Sequence, residues 1–267
     1  MSILIYRLIC IQVSALILDS NLLANIIYST GRFQRFFVSP AVSRQCFELS
    51  RRFVAVDGTF LKARFIQTLL LAAGIDADGH NTILAWAVVE SENRDSWEWF
   101  FRHLRRAIPT ISLEACTLIS DRDKGLLLAE KVLGPQVIAA HCCYHLKENF
   151  VEKFGRGLAP LFWAVARART EAQYVAALQK LRNTKEAAAT YLENALPETW
   201  AEARFPSHRY GHDTSNIVES VNKTLKLQRE LPIVELLNSI WHQVMQHRAD
   251  RLAAAIKEEA AGSTWTS

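Results

Sequence analysis

The sequence predicts a mixed α/β protein, a β-sheet core interrupted by a large all-helical insertion before its last helices. Three observations carry this. Apolar, β-branched runs follow one another across tight turns between Phe53 and Val89, and strand-like and helical segments then alternate as far as Ala140. From Tyr144 to Trp200 the composition turns to Ala, Leu, Glu, Gln and Lys and reads as helix almost throughout.

Phe53 to Asp57 is a short β-branched strand, and Phe65 to Ile75 and Thr82 to Val89 are longer ones. Between the last two sits Asp76-Ala77-Asp78-Gly79-His80-Asn81, and Asp-Gly flanked by apolar runs is a strong hairpin signal, so an antiparallel three-stranded meander is expected. Asp95 or Ser96 caps a helix in which Trp97, Phe100, Phe101 and Leu104 recur at helical spacing, and Pro109 ends it. The aromatic set Trp97, Trp99, Phe100 and Phe101 reads as core packing, with one tryptophan lying outward. Leu113 to Ser120 is a fourth strand, Lys124 to Val132 a helix, and Val137 to Ala140 a fifth strand after Gly134-Pro135. Beyond a loop at Phe205 to Asp213, Thr214 or Ser215 caps a helix through Leu227, and Pro232 opens a final helix to about Lys257.

The order β-β-β-α-β-α-β-α matches the RNase H-like layout, a mixed sheet in which the first and fourth of these strands lie side by side. The expected organisation is a helical lead-in over residues 1–50, truncated at its start, the first part of the core over 51–143 and the helical insertion over 144–203. The last core helices then occupy 204–257, and a disordered tail 258–267.

Half the residues are apolar and mean hydropathy is +0.03, which excludes a disordered or membrane class. A net charge of +4 and a pI near 8.8 suit a polyanionic partner but fall short of a dedicated basic arm. Five cysteines, an odd number at low density, point to reduced thiols in an intracellular compartment. The apolar stretch Ile3 to Leu23 is broken by Arg7, Gln12, Ser14, Asp19 and Ser20. A buried helix or the start of a truncated reading frame is therefore preferred to a membrane span or a signal peptide.

Three acidic positions could carry chemistry. Asp57 closes a buried strand and is followed by Gly58, which puts a carboxylate at the sheet edge, where it can meet a cation. Asp121 closes the fourth strand in the same way, with Asp123 as runner-up, and two adjacent carboxylates repel unless a metal lies between them. Glu219 lies on the first turns of a capped helix, with Asn216, Asn222 and Lys223 one turn to either side. Singly, each has a plainer reading: a strand-ending turn, a helix N-cap and a solvated helix surface. The argument rests on the trio.

The chain resembles the MULE domain, the transposase core of Mutator-like elements, over about Gly31 to Arg248. The resemblance is carried by Val56-Asp57-Gly58-Thr59-Phe60-Leu61-Lys62, Trp97-Glu98-Trp99-Phe100, Ile119-Ser120-Asp121-Arg122 with Lys124-Gly125-Leu126, His141-Cys142-Cys143-Tyr144-His145-Leu146-Lys147-Glu148-Asn149-Phe150, and Thr214-Ser215-Asn216-Ile217-Val218-Glu219-Ser220-Val221-Asn222. It implies that Asp57, Asp121 and Glu219 occupy the family's Asp-Asp-Glu positions and hold two Mg²⁺ (or Mn²⁺) ions for DNA cleavage and strand transfer. DNA, as transposon ends and target, is the implied partner, with a homo-oligomer assembled on it, no membrane, and a nuclear (intracellular) location.

Cys142-x-x-His145 matches the family's Cys-x-x-His element. It could form part of a zinc site, but four ligands are wanted and the others are not evident, so a buried thiol with a histidine positioning the insertion helix is slightly preferred. His80, His208 and His212 read as surface or DNA-proximal residues without metal. Arg204, Arg209, Lys223, Lys226 and Arg229 surround the Glu219 helix and suit a phosphate-tracking surface, although solvated helix surface explains them nearly as well. The N-terminal zinc-binding recognition module and the C-terminal Cys-x-Cys finger of such proteins are missing from this sequence. A fragment, a decayed copy or a domesticated gene is therefore expected. The alternatives to an active transposase are a non-catalytic DNA-binding or regulatory derivative and, less favoured, a cellular RNase H-like nuclease or resolvase.

Overall fold

The computed structural model describes residues 23–29, 32–62, 67–121, 126 and 130–261. Seven strands form one mixed sheet: β1 (Leu23–Ser29), β2 (Arg32–Ser39), β3 (Phe53–Phe60), β4 (Thr68–Ile75), β5 (Asn81–Val89), β6 (Cys116–Ser120) and β7 (Val137–His141). Their spatial order is β1-β2-β5-β4-β3-β6-β7. The β3–β5 meander is antiparallel, whereas β6 and β7 run parallel to β3. All eight residues of β4 are buried, which is why the strand reads as a continuous apolar run rather than an alternating one.

The helices are α1 (Ala41–Glu48), α2 (Arg94–Ala107), the single turn α3 (Thr110–Leu113), α4 (Cys143–Phe154), α5 (Ala159–Ala166), α6 (Glu171–Thr184), α7 (Glu186–Glu193), α8 (Asn216–Thr224) and α9 (Ile233–Ala260). One face of the sheet packs Phe53, Ala55 and Ile119 against Ile217, Val218 and Val221 of α8 and Leu236 and Ile240 of α9. The opposite face packs Val54, Val56 and Leu118 against Trp97, Phe100, Phe101 and Leu104 of α2. Helices α4 to α7 bury a separate cluster of their own around Phe150, Phe162, Tyr174 and Trp200. Among the described residues no helix is long and apolar enough to cross a membrane.

Several expectations are corrected. Where a helical lead-in is expected, β1 and β2 pair antiparallel and add to the sheet through Phe36, Phe37 and Val38, paired with Val88, Ala87 and Trp86. An apolar run cannot by itself distinguish helix from strand; the open edge of β5 decides, by offering a ladder to the β-branched and aromatic residues. Helix α2 is capped by Asn93, whose Oδ1 accepts the Ser96 N–H at 2.9 Å, and Asp95 falls in the first turn, where it complements the helix dipole. Thr110 to Leu113 form a turn of helix, so β6 starts only at Cys116. The helix expected over 124–132 falls mostly outside the described residues, with Glu130–Leu133 in a 3₁₀ turn. Helix α8 ends at Thr224, short of Leu227, and α9 runs to Ala260, into the stretch expected as tail. Residues 1–22 lie outside the described residues, as does the end of the tail.

The Asp-Gly hairpin forms as expected. Asp76 Oδ1 accepts the His80 N–H at 2.8 Å, and Gly79 sits at φ +86, where a side chain is strained. Arg251 of α9 latches onto this turn, donating to Asp76 Oδ2 and to the Asn81 carbonyl, each at 2.8 Å. Gly79→Ala is expected to cost roughly 1 kcal/mol in urea denaturation, because only the backbone penalty of the left-handed region applies.

Candidate active site

Side chains alternate across β3, so Asp57 shares the face of Phe53 and Ala55 and points towards α8. Strand β6 pairs with β3 as Phe53 with Thr117, Val54 with Leu118 and Ala55 with Ile119. The same offset carried two residues further sets Asp121 opposite Asp57, just past the end of β6. Across this edge lies the start of α8, where Asn222 Nδ2 donates to Asp57 Oδ2 at 2.6 Å and Ser215 Oγ donates to Glu219 Oε1 at 2.7 Å.

Asp57 is thereby placed among like charges. Its pKa is pushed up from 3.8 to about 7, first by burial and then by the carboxylates of Glu92, Asp121 and Glu219, with the Asn222 hydrogen bond pulling the other way. The three acids expected from the sequence thus come close enough to feel one another. Asp123 lies outside the described residues. Glu92, between β5 and α2, went unnoticed because it sits in no strand and caps no helix; only the glycine after Asp57 hinted that something approaches there. Asn222 was legible only as part of a polar stripe. It is buried to about nine-tenths, and its Oδ1 has no partner among the described residues.

Cys142 and His145 form a hydrogen-bonded pair beside Glu219, and one ligand atom from each of the three residues lies within 4.8 Å of the others. His145 is raised to about 9, chiefly by its hydrogen bond to Cys142. Burial pushes the Cys142 thiol up, but hydrogen bonds from His145 and Ser215 outweigh it and hold the thiol below its ordinary value. The two shifts describe one interaction, the hydrogen bond between the Cys142 sulfur and the His145 imidazole. The sulfur also accepts the Ser215 N–H at 3.3 Å, so this pair anchors the first residue of the segment bearing Glu219.

The five basic residues divide. Lys223, in the last turn of α8, and Lys226, just past it, are exposed, and Arg229 donates to Thr59 Oγ1. Arg204 is bound to Glu171 of α6 at 2.5 Å and stacks over Tyr174 at 4.1 Å. Arg209 corrects the expectation of a phosphate contact. It is 2% exposed and donates to the Trp200 carbonyl and, at 3.4 Å, to that of His141, which makes it a buried clamp between the insertion and the sheet. His208 is exposed, whereas His212 is partly buried against Phe53 at 5.3 Å. His80 stands with Asp76 and Asp78 in a group of metal-ligand type, in which Asp76 is already paired with Arg251.

A carboxyl whose pKa is raised on folding takes up a proton between the two values. The stability it contributes is present below about pH 4 and is lost as pH rises through about 7. Asp57→Asn cannot ionise, so in metal-free buffer at pH 8 urea denaturation should show the variant more stable than the natural chain by on the order of 2 kcal/mol, and the difference should vanish towards pH 4. Cys142→Ala leaves the Ser215 N–H buried without its acceptor and should lower stability by roughly 1 to 3 kcal/mol in the same measurement.

Residues 53–149 match the family model described as MULE transposase domain. The chain is similar to the transposase for insertion sequence element IS406 of Burkholderia multivorans, 29% identical over 62% of this chain and 45% of the relative. It is also similar to that of ISRM5 of Rhizobium meliloti, 24% identical over 65% and 46%, and to that of IS905 of Lactococcus lactis, 25% identical over 67% and 48%. The chain therefore spans about half the length of these curated relatives. All are bacterial, and nothing in them carries the nuclear location implied by the resemblance. Asp57, Asp121, Cys142 and His145 lie inside the matched stretch and Glu219 lies beyond it. This chain thus matches the MULE transposase domain over residues 53–149 and is similar to bacterial insertion-sequence transposases.

Proposed function

We propose that this chain is the catalytic core of a DDE-type transposase with an RNase H-like sheet, cutting DNA at the ends of a mobile element and joining the freed 3′-hydroxyl to a target. The observation that carries the reading is that Asp121, just past β6, and Glu219, on α8, both crowd Asp57 of β3 electrostatically.

The donor set suits a hard divalent cation. The carboxylates of Asp121 and Glu219 act electrostatically on that of Asp57, and the orphaned, buried Oδ1 of Asn222 adds an oxygen acceptor on the amide that touches Asp57. Bound Mg²⁺ or Mn²⁺ would supply Lewis-acid polarisation of the scissile phosphate and activation of the attacking water or 3′-hydroxyl. Asp57, Asp121 and Glu219 hold the cations. Asn222 orients the Asp57 carboxylate and Ser215 that of Glu219, while Cys142 and His145 fix the start of α8 and Lys223 and Lys226 face the phosphates. Stoichiometric zinc in the purified protein would overturn this role for Cys142 and His145 and make them ligands instead. Because a mobile element has two ends, the reading places at least two copies of the chain on DNA.

Purified protein incubated with labelled element ends, Mg²⁺ and a target plasmid is expected to nick the ends and join them. Asp57→Asn or Asp121→Asn should lower cleavage by roughly a thousandfold or more while leaving the gel shift on the same DNA intact. Binding without cleavage by the natural chain would favour a non-catalytic, transposase-derived DNA-binding protein. Cutting of branched or hybrid substrates without joining would favour a cellular nuclease.

A further inference from the structure

Glu92 follows β5 and precedes Asn93, the cap of α2, and it is half-buried at the same end of the sheet as Asp57. It approaches strand β3 so closely that a Cβ on Gly58 would lie 2.4 Å from its carboxyl carbon and 2.4 and 2.5 Å from its two oxygens. A side chain at position 58 and the Glu92 carboxylate in this position exclude one another, so glycine immediately after Asp57 is what lets this carboxylate reach the strand backbone. The Nε1–H of Trp97, a fully buried residue, donates to Glu92 Oε1 at 3.3 Å and holds the group in that place. Glu92 comes next after burial among the causes that raise Asp57, ahead of Asp121 and Glu219, which supports the same proximity.

We propose that Glu92 is a fourth carboxylate of the acidic site, facing the cations held by Asp57 from the α2 side of the sheet and admitted there by Gly58. This rests on the reading of the acidic site as a divalent-cation centre. The competing role is structural, a mere acceptor for the Trp97 indole, and chemistry separates the two. A ligand to a cation needs the carboxylate's charge, whereas an acceptor for the indole N–H does not.

Glu92→Gln keeps the Oε1 acceptor and the shape and removes only the charge. Mn²⁺ binding by the full chain, read from the free-ion signal in electron paramagnetic resonance with folding checked by circular dichroism, is the measurement. The natural chain should bind Mn²⁺, and Glu92→Gln should weaken at least one ion by roughly 10- to 100-fold. Gly58→Ala, which drives the Glu92 carboxylate from its place, should weaken the same ion, and the double variant should lose no more than Glu92→Gln alone. Glu92→Gln binding like the natural chain while Asp57→Asn fails to bind would overturn the role of Glu92 and leave the cation centre standing. A natural chain that binds no Mn²⁺ would overturn both.

Discussion

Asp57 cannot ionise cheaply at neutral pH in this molecule, and much of the surrounding architecture is an answer to that single constraint. Its carboxylate is half-buried, repelled by Glu92, Asp121 and Glu219, and eased by a hydrogen bond from Asn222. Crowding of this kind is unfavourable in a purely structural role and useful at a centre that draws in cations. The stability given up at the edge of the sheet must be recovered elsewhere, and the fully buried β4 and the two apolar layers that sandwich the sheet recover it.

The scaffold brings the charges together by three separate devices. Parallel pairing of β6 with β3 fixes Asp121 beside Asp57. The bonds from Ser215 to Cys142 and to Glu219 fix where α8 begins and how its glutamate is held. Asn222, one turn later on the same helix, closes the gap back to β3. The sulfur of Cys142 therefore serves a carboxylate that it does not need to touch.

The central meander, its Asp-Gly turn and the aromatic face of α2 were legible because each rests on local period and turn chemistry. Asp57 and Asp121 were legible too, since a carboxylate that closes an apolar strand breaks the strand's own pattern. Less could be read where a partner far along the chain decides the outcome. Strand β2 is a strand because β5 offers an open edge, and Arg209 is buried because it donates to the carbonyls of His141 and Trp200. Glu92 belongs to the same class: its approach to Gly58 is a fact of three dimensions, and nothing in its immediate neighbours announces it. Glu219 was located by family likeness as much as by its helix, and the hydrogen bonds of Ser215 and Asn222 now give it a physical setting.

The helical segment that follows β7 leaves the sheet at Cys143, whose N–H donates to the Asp213 carbonyl at 2.8 Å, just before α8. An excursion whose two ends touch can lengthen or shorten without changing strand register, and the entropy of closing such a loop grows only slowly with its length. Because its helices already bury an interior of their own, evolution can remodel this module as a unit, trading one outer surface for another while the acidic edge stays undisturbed. Length differences among kindred proteins should accordingly concentrate between these two residues.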